Sequence, residues 1–202
     1  MNAQTAQHAK LTVQDYLRGE EHSEIRHEFI DGQVFAMGGA SDRHGLLSMS
    51  LSLLLGAKAR AKKCQLFIAD MKVHLRISGK DIFYYPDLLL SCDSTDRASH
   101  YRTAPCLIIE VLSDTTERID RREKMLAYQT LPSLEEYVLV SQDTSQIEIY
   151  RRRADWQPEI HTEGTFTLEC LELTCTVAEV YQDITLAFQT APPMAPPQGE
   201  RT

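Results

Sequence analysis

One short segment, residues 106–112, constrains the fold of this chain more than any other part of its sequence. The segment is almost wholly apolar, which is typical of a central β-strand that is covered on both faces. Glu110 interrupts it. A carboxylate inside such a strand loses its hydration, so it needs a cation or hydrogen-bond donors to offset the cost of burial. Glu110 is therefore either a structural acid bonded to backbone N–H groups or an arginine, or a functional acid that holds a cation.

The segments around this strand predict an α/β (α+β) fold. A strand pair joined at Asp31-Gly32, a strong signal for a two-residue hairpin, precedes a long helix over about residues 42–63. A second helix, over about residues 116–129, follows the central strand. Strands flanked by helices in this order predict a mixed β-sheet with a helix on each side. Further strands are expected at 65–69, 71–77, 82–90, 137–140, 147–150 and 165–175, and a last helical turn at 177–181.

The length of 202 residues favours one domain, since domains average about 100–200 residues. We expect this domain to span residues 12–183, with Thr12 capping a short first helix. Residues 1–11 are expected to form a flexible lead-in. Residues 184–202 are expected to be a disordered tail, because the proline spacing after residue 190 forbids both helix and sheet.

The charge balance limits the partners of the chain. It carries 29 acidic and 21 basic side chains, a net charge of −8, which excludes a general nucleic-acid coat protein. DNA binding then requires a local basic patch or a divalent metal. No apolar run reaches about 18 residues, so no membrane helix is expected. The polar N-terminus lacks the apolar stretch of a signal peptide, and a cytoplasmic location is expected.

The five cysteines do not form a recognisable motif. No CxxC pair is present, which argues against a zinc knuckle or a thioredoxin-type site. Most of them lie in apolar runs typical of strands. We therefore expect small buried hydrophobic residues in a reducing compartment. The five are Cys64, Cys92, Cys106, Cys170 and Cys175.

Two further acids join Glu110 as candidate metal ligands. Asp87 lies within the predicted strand 82–90, directly after Pro86, whose missing N–H marks a sheet edge or bulge. Two neighbouring strands that each carry one inward carboxylate suit a hard cation such as Mg²⁺, which prefers oxygen ligands. Glu28 shares one face of its strand with Ile30, so it points either inward or, as an ordinary strand residue, to solvent.

Basic residues that could serve the same site are few. Lys124, on the helix after the central strand, is spaced to pair with Asp120 at i, i+4, either in the site or as a solvated salt bridge. His44 begins the long helix, where phosphate is attracted, or it is a capping or surface histidine. The tract 151–153, with Trp156 nearby, either contacts a phosphate backbone or is a solvated strand end.

Several of these motifs together resemble the Uma2 family, formerly domain of unknown function 820, in the PD-(D/E)XK restriction-endonuclease-like superfamily. The resemblance covers roughly residues 12–183. It implies a restriction-endonuclease-like core, a mixed β-sheet flanked by helices. The residues that carry the resemblance are 28–32, His44, 85–88, 109–113, Asp120, Lys124, Tyr128 and 136–140.

The resemblance also implies roles for single residues. Asp87 corresponds to the aspartate of the PD motif, Glu110 to the glutamate, and Glu28 to an acid from the first element. The lysine of the parent pattern stands two residues after the glutamate, where this chain has Leu112. Lys124, on the following helix, is its expected substitute.

The function implied is a Mg²⁺- or Mn²⁺-dependent endonuclease that hydrolyses phosphodiester bonds of DNA. Asp87, Glu110 and the carbonyl of Val111 are then the metal ligands, Lys124 and Glu28 complete the catalytic set, and His44 binds substrate. A homodimer is expected, because such nucleases often cut two strands with two subunits. The alternative is an inactive nuclease fold that binds DNA or regulates a partner. A third interpretation is a structural dimer whose acids pair with arginines.

Overall fold

The computed structural model describes residues 10–113 and 117–190, with side chains of the last helix described as far as Ile184. The helices in this part are α1 (Val13–Glu20), α2 (Asp42–Ala61), α3 (Glu117–Ile119), α4 (Met125–Tyr128) and α5 (Val177–Thr190), with a π-helical turn at Asp120–Lys124 and a 3-10 turn at Arg152–Ala154. The strands are β1 (His27–Ile30), β2 (Gln33–Ala36), β3 (Gln65–Ile68), β4 (Lys72–Ile77), β5 (Lys80–Tyr84), β6 (Leu88–Ser91), β7 (Tyr101–Arg102), β8 (Leu107–Val111), β9 (Glu136–Val140), β10 (Ile147–Arg151), β11 (Pro158–His161), β12 (Thr165–Leu168) and β13 (Leu173–Thr176).

The predicted central strand is β8, an inner strand of a six-stranded sheet in the order β11-β10-β9-β8-β6-β3. Strand β8 runs parallel to β9 and antiparallel to β6, so the sheet is mixed. All five residues of β8 are buried, as expected for a strand with two covered faces. The prediction of a mixed β-sheet flanked by helices is therefore confirmed.

The two faces of this sheet are covered differently. Helices α2 and α5 pack on one face, where Leu51 and Val180 join Ile109 in one apolar cluster. The other face is covered largely by a second sheet, with strand order β2-β1-β5-β4-β7, together with α4. Ile108 of β8 meets Val73 of that second sheet. The predicted helices on both sides of the sheet are present, α2 and α5 on one face and α4 on the other, and a second sheet that was not predicted covers the rest of that other face.

The predicted strand 82–90 is in fact two strands in different sheets. Strand β5 ends at Tyr84 in the five-stranded sheet, and β6 begins at Leu88 in the six-stranded sheet. Pro86 lies in the connection and has no N–H to offer a ladder, which favours the change of sheet there. Asp87 therefore sits at the junction of the two sheets and not inside a strand.

The turns and caps predicted from the sequence form largely as expected. The Thr12 hydroxyl accepts a hydrogen bond from the backbone N–H of Asp15 at 3.1 Å and caps α1. Asp31 and Gly32 both have positive φ, 49° and 89°, as a tight hairpin between β1 and β2 requires. The cap of α2 is Ser41, which was not predicted, and its hydroxyl accepts a hydrogen bond from the N–H of His44.

The described hydrogen bonds and helices extend slightly beyond the predicted domain, residues 12–183, at both ends. Leu11 donates its N–H to the carbonyl of Gly32 at 3.1 Å, and Lys10 pairs with Asp31. Helix α5 continues to Thr190, well beyond the single turn expected at 177–181 and into the expected tail. Residues 1–9 and 191–202, which hold the rest of the two predicted terminal segments, lie outside the described residues. Within the described ranges, no helix is both long and apolar enough to cross a bilayer.

The prediction for the cysteines is correct for Cys175, which is buried and free. It is wrong for the other four, which form the disulfides Cys64–Cys92 and Cys106–Cys170. The partners are 28 and 64 residues apart. The local sequence around each cysteine does not show which distant segment lies beside it in the fold, so these pairings could not be predicted.

Candidate active site

Strand register brings the first two predicted acids together. Leu88 of β6 pairs with Ile109 of β8, so Asp87 lies opposite Glu110. The N–H of Asp87 donates to Oε2 of Glu110 at 3.3 Å, and the N–H of Val111 donates to Oδ2 of Asp87 at 2.6 Å. Each carboxylate is thus held by the main chain of the opposite segment. Two rigid neighbouring segments fix the relative position of the two acids.

Glu110 faces the space between the two sheets, on the same side of β8 as Ile108. Its second oxygen, Oε1, accepts hydrogen bonds from Lys124 Nζ at 3.4 Å and from the Tyr128 hydroxyl at 3.2 Å. Burial raises the pKa of Glu110 well above its ordinary value. The charge of Lys124 opposes this rise, while the nearby acids Asp120, Asp87 and Glu28 reinforce it. A cation near these acids would favour the ionised form of Glu110.

Lys124 is the centre of a buried charge cluster. Its Nζ lies 3.0 Å from Glu28 Oε1, 3.2 Å from Asp120 Oδ1 and 3.4 Å from Glu110 Oε1. Lys124 is only 5% exposed and Asp120 2%, so the alternative of a solvated salt bridge is excluded. Burial lowers the pKa of Lys124, but the three carboxylates outweigh it and hold that pKa well above the usual range. The side chain is an ammonium at neutral pH.

A widened helical turn places this lysine. Asp120–Lys124 is π-helical, between the short helices α3 and α4, and such turns are frequent at functional sites. The Tyr137 hydroxyl donates to the carbonyl oxygen of Asp120 at 3.0 Å and so secures the turn against β9. The predicted helix over about residues 116–129 is thus confirmed over the described residues 117–128, with a π-helical turn in its middle.

The oxygen atoms of this cluster suit a hard cation. Three carboxyl groups, those of Glu28, Glu110 and Asp120, surround the ammonium group of Lys124, and that of Asp87 lies beside Glu110 and pairs with His44. Glu28 Oε1 and Asp120 Oδ1 are buried and lie at ion-pair distance from Lys124, yet neither has a partner with hydrogen-bond geometry. A buried oxygen without a hydrogen bond costs about 1–3 kcal/mol. Spare oxygens and excess negative charge are what Mg²⁺ or Mn²⁺ would satisfy.

His44 faces the same acids from the start of α2. Its Nε2 lies 3.0 Å from Asp87 Oδ1, so its ring is bound to the site and is not merely a cap. Burial lowers the pKa of His44, but the hydrogen bond and the charge of Asp87 more than reverse this, and the net shift is upward. His44 is therefore in direct contact with the candidate metal ligand Asp87.

Comparison with known proteins gives the family of this chain. A family profile described as "Uma2: Putative restriction endonuclease" matches residues 13–178. The chain belongs to the Uma2 family. The match covers every element that contributes to the cluster, from β1 to the π-helical turn.

Two curated proteins and one solved structure are also similar to this chain. Uncharacterized protein slr1290 of Synechocystis sp. (strain ATCC 27184 / PCC 6803 / Kazusa) is 37% identical over 147 residues, 72% of this chain and 76% of the relative. Uncharacterized protein sll1609 of the same strain is 34% identical over 150 residues, 73% of this chain and 84% of the relative. The crystal structure of "a putative nuclease belonging to DUF820" from Anabaena variabilis ATCC 29413 has a TM-score of 0.67 at 12% identity, covering 85% of this chain and 98% of that chain. This last similarity shows the fold.

The five side chains predicted to form the site of this Uma2 domain lie together, but the predicted role of one main-chain carbonyl stays open. Glu28, His44, Asp87, Glu110 and Lys124 form one connected set of contacts. Val111, expected to contribute its carbonyl, contacts Asp87 through its N–H instead. Its carbonyl as a metal ligand stays a prediction.

The basic tract 151–153 lies outside this set and forms no phosphate-binding patch. Arg151 is buried and pairs with Glu136 at 3.1 Å and with Glu159. Arg152 donates to the carbonyl oxygen of Leu134 at 2.8 Å and lies over the Trp156 ring. The sequence left two interpretations open for this tract, a phosphate contact and a solvated strand end. Neither holds for Arg151, because its guanidinium is buried in ion pairs.

Tyrosine rings line one side of the site, and this was not predicted from the sequence. Tyr84, at the end of β5, lies with its ring 5.7 Å from Lys124 Nζ and packs edge-on against Tyr128. The next residue, Tyr85, donates its hydroxyl to Glu20 at 2.8 Å and anchors the connection that carries Asp87. The pair of tyrosines immediately before Pro86 was the available signal for both contacts.

Proposed function

We propose that this Uma2 protein is a Mg²⁺-dependent endonuclease of the PD-(D/E)XK type that hydrolyses phosphodiester bonds in DNA. The observation that carries the proposal is the interlock of Asp87 and Glu110 across β6 and β8, with the ammonium of Lys124 against Glu110. The family and the DUF820 structure, both described as nuclease-like, support a nucleic acid as substrate. Lys124 supplies the charge that Leu112 cannot, since it reaches Glu110 from the next helix.

Asp87 and Glu110, with the carbonyl of Val111, are the groups that would hold the metal. When bound, Mg²⁺ lowers the pKa of a coordinated water and neutralises charge on the phosphate. Hydrolysis requires a hydroxide to attack phosphorus while the P–O bond to the leaving sugar oxygen breaks, and that oxygen takes up a proton from water.

The remaining side chains have roles that follow from their charge and position. Lys124, a permanent cation at neutral pH, orients the attacking water and offsets charge on the phosphate oxygens. Glu28 accepts a hydrogen bond from that water or holds a second metal ion. His44, at the start of α2, binds a phosphate oxygen of the substrate, since helix N-termini attract phosphate.

The direct test is cleavage of plasmid DNA by the purified full chain. We expect nicked and linear products with Mg²⁺ or Mn²⁺ and none when a chelator such as EDTA removes the metal. Cleavage that persists in EDTA, or no cleavage by the wild-type protein with either metal, would contradict the proposal.

The second candidate function is an inactive nuclease fold that binds DNA. The contacts of Lys124 favour it, because its ammonium is shared among three carboxylates and is not directed at an open face. A binding module would retain its DNA affinity in the Asp87→Asn variant and would cleave with neither metal. An endonuclease loses cleavage in that variant.

We also propose a homodimer that forms through β2. This strand is the edge of the five-stranded sheet, and all four of its residues are exposed, including Val34 and Phe35 at 46% and 47%. An exposed apolar edge strand readily pairs with a second copy. We expect sedimentation to show a dimer for the wild-type chain and a monomer for Phe35→Lys. A matched change at another exposed apolar residue, Leu126→Lys, should leave the dimer intact. A wild-type monomer, or a dimer in both variants, would be inconsistent with this interface.

A further inference from the structure

Four cysteines meet at one point, remote from the acidic cluster. They form the disulfides Cys64–Cys92 and Cys106–Cys170. The two disulfides touch, since the Sγ atoms of Cys92 and Cys106 lie 3.6 Å apart. The sulfurs of Cys92, Cys106 and Cys170 all lie within 4.8 Å of one another. Two unrelated disulfides would not need such an approach, but a shared metal ion would.

Each cysteine is placed by its own backbone contacts. Cys64 lies three residues after the end of α2 and donates its N–H to Ala59 O, and Cys106 directly precedes β8 and donates its N–H to Leu90 O. Cys170 lies in the turn between β12 and β13 and donates to Glu136 Oε2 at 3.0 Å. Cys92 directly follows β6. The four positions are therefore fixed by the fold and not by the S–S bonds alone.

We propose that Cys64, Cys92, Cys106 and Cys170, when reduced, bind one Zn²⁺ as a four-thiolate site. Structural zinc takes four tetrahedral ligands at about 2.3 Å for sulfur, which sets neighbouring sulfurs about 3.8 Å apart. The 3.6 Å contact between Cys92 and Cys106 is close to that spacing. Soft thiolates select zinc over Mg²⁺, so this site and the oxygen cluster take different metals.

The surrounding charges suit a thiolate site better than neutral disulfides. Four thiolates with one Zn²⁺ carry two negative charges. Lys63, Arg97 and Arg102 line a cavity together with Cys92, where Asp93 also lies. Three cations against one acid give this cavity a net positive charge. Such a charge stabilises an anionic zinc–thiolate centre, whereas a disulfide gains nothing from it.

The interconversion with the disulfide form balances with a dithiol as reductant. Each disulfide takes two electrons and two protons from one dithiol, which closes to a cyclic disulfide, and two disulfides give four thiols. Zinc then displaces four protons from the thiols. The disulfide form has no thiolate to offer and binds no zinc.

The site would fasten the strands that hold the candidate catalytic acids. Cys92 follows β6 and Cys106 precedes β8, at the ends opposite Asp87 and Glu110. Asp87 directly precedes β6 and Cys92 directly follows it, so at about 3.3 Å per residue this five-residue separation puts the two sites about 16–17 Å apart along the strand. Zinc here is structural and takes no part in phosphodiester hydrolysis.

The full chain is first reduced with a dithiol, and the dithiol is then removed in the absence of oxygen. The test measures the zinc content of this protein and the absorption spectrum of its Co²⁺ derivative. We expect one zinc per reduced wild-type chain, none per oxidised chain, and a Co²⁺ derivative with thiolate charge-transfer bands. Excess Mg²⁺ should displace neither ion. DNA cleavage is not the readout, so failure of the nuclease proposal leaves this result intact.

Two serine variants make the test specific. Cys92 is exposed, so the Cys92→Ser variant should fold. It should lose more than about 100-fold in zinc affinity, because losing a ligand costs more than losing a residue that only hydrogen-bonds to a ligand, which costs about 10–100-fold. Cys175→Ser, at the free buried cysteine, should bind zinc as the wild type does. Absence of zinc from the reduced wild type, disulfides that resist the dithiol, or equal zinc affinity of Cys92→Ser and wild type would overturn the proposal.

Discussion

Replacing Lys124 by methionine is expected to lower the free energy of unfolding by about 3–5 kcal/mol at neutral pH, the cost of removing one partner from a buried ion pair. The methionine fills a similar volume but leaves the carboxylates of Glu28, Asp120 and Glu110 buried without their cation. Urea unfolding of the two proteins measures the difference.

The pH dependence of this loss has a definite sign. Without the ammonium, the pKa of Glu110 rises further above its ordinary value, because the one charge that lowers it is gone. The folded variant then binds more protons than its unfolded chain, so its stability is highest at acid pH and falls as pH rises. The difference from wild type should shrink towards pH 5.

An exposed ion pair provides the control for this variant. Lys10 pairs with Asp31 at 2.6 Å, but its side chain is 65% exposed. Lys10→Met should therefore change stability by no more than about 1 kcal/mol. A similar small effect for Lys124→Met would mean that the buried cluster does not hold the fold together as described.

Replacing Asp87 by asparagine, or Glu110 by glutamine, is expected to reduce DNA cleavage at least about a hundred-fold, since loss of a single stabilising group alone costs about 10²–10³ in kcat. Both changes keep the shape of the side chain and remove one charge. The backbone N–H groups of Val111 and Asp87 can still donate hydrogen bonds to the side-chain oxygen that each amide retains. The fold should persist, and circular dichroism would establish that it does.

A second His–Asp pair gives a matched control for Asp87→Asn. Asp81 accepts His74 Nε2 at 2.8 Å, much as Asp87 pairs with His44 at 3.0 Å, but Asp81 lies at the far end of β5. Asp81→Asn should cleave DNA at the wild-type rate. Equal rates for Asp87→Asn and Asp81→Asn would rule out a catalytic role for Asp87.

The sequence predicted the acids of the site because each breaks a local pattern. Glu110 interrupts an apolar strand, and Asp87 follows a proline inside an apolar stretch. Burial of such acids requires a partner, so Lys124 could be sought nearby. The helix caps and the Asp31-Gly32 hairpin were predictable for the same reason, since short-range geometry determines them.

Features that depend on distant segments were not predictable in this way. The change of sheet at residues 85–87 depends on which strands pair, and alternation along one strand does not reveal its neighbours. The π-helical turn depends on the hydrogen bond from Tyr137. The disulfides join segments up to 64 residues apart. The Tyr84 ring meets Lys124 only because β5 leads to the junction of the two sheets.

The most direct measurement of the central claim is a crystal structure of the full chain with Mn²⁺, located by its anomalous scattering. We predict a manganese peak bridged by carboxylate oxygens of Asp87 and Glu110 at about 2.1 Å, the distance typical of Mg²⁺-type sites. A map with no peak between these two acids, and with Lys124 still shared among its three carboxylates, would contradict the claim that this cluster is a metal-dependent nuclease centre.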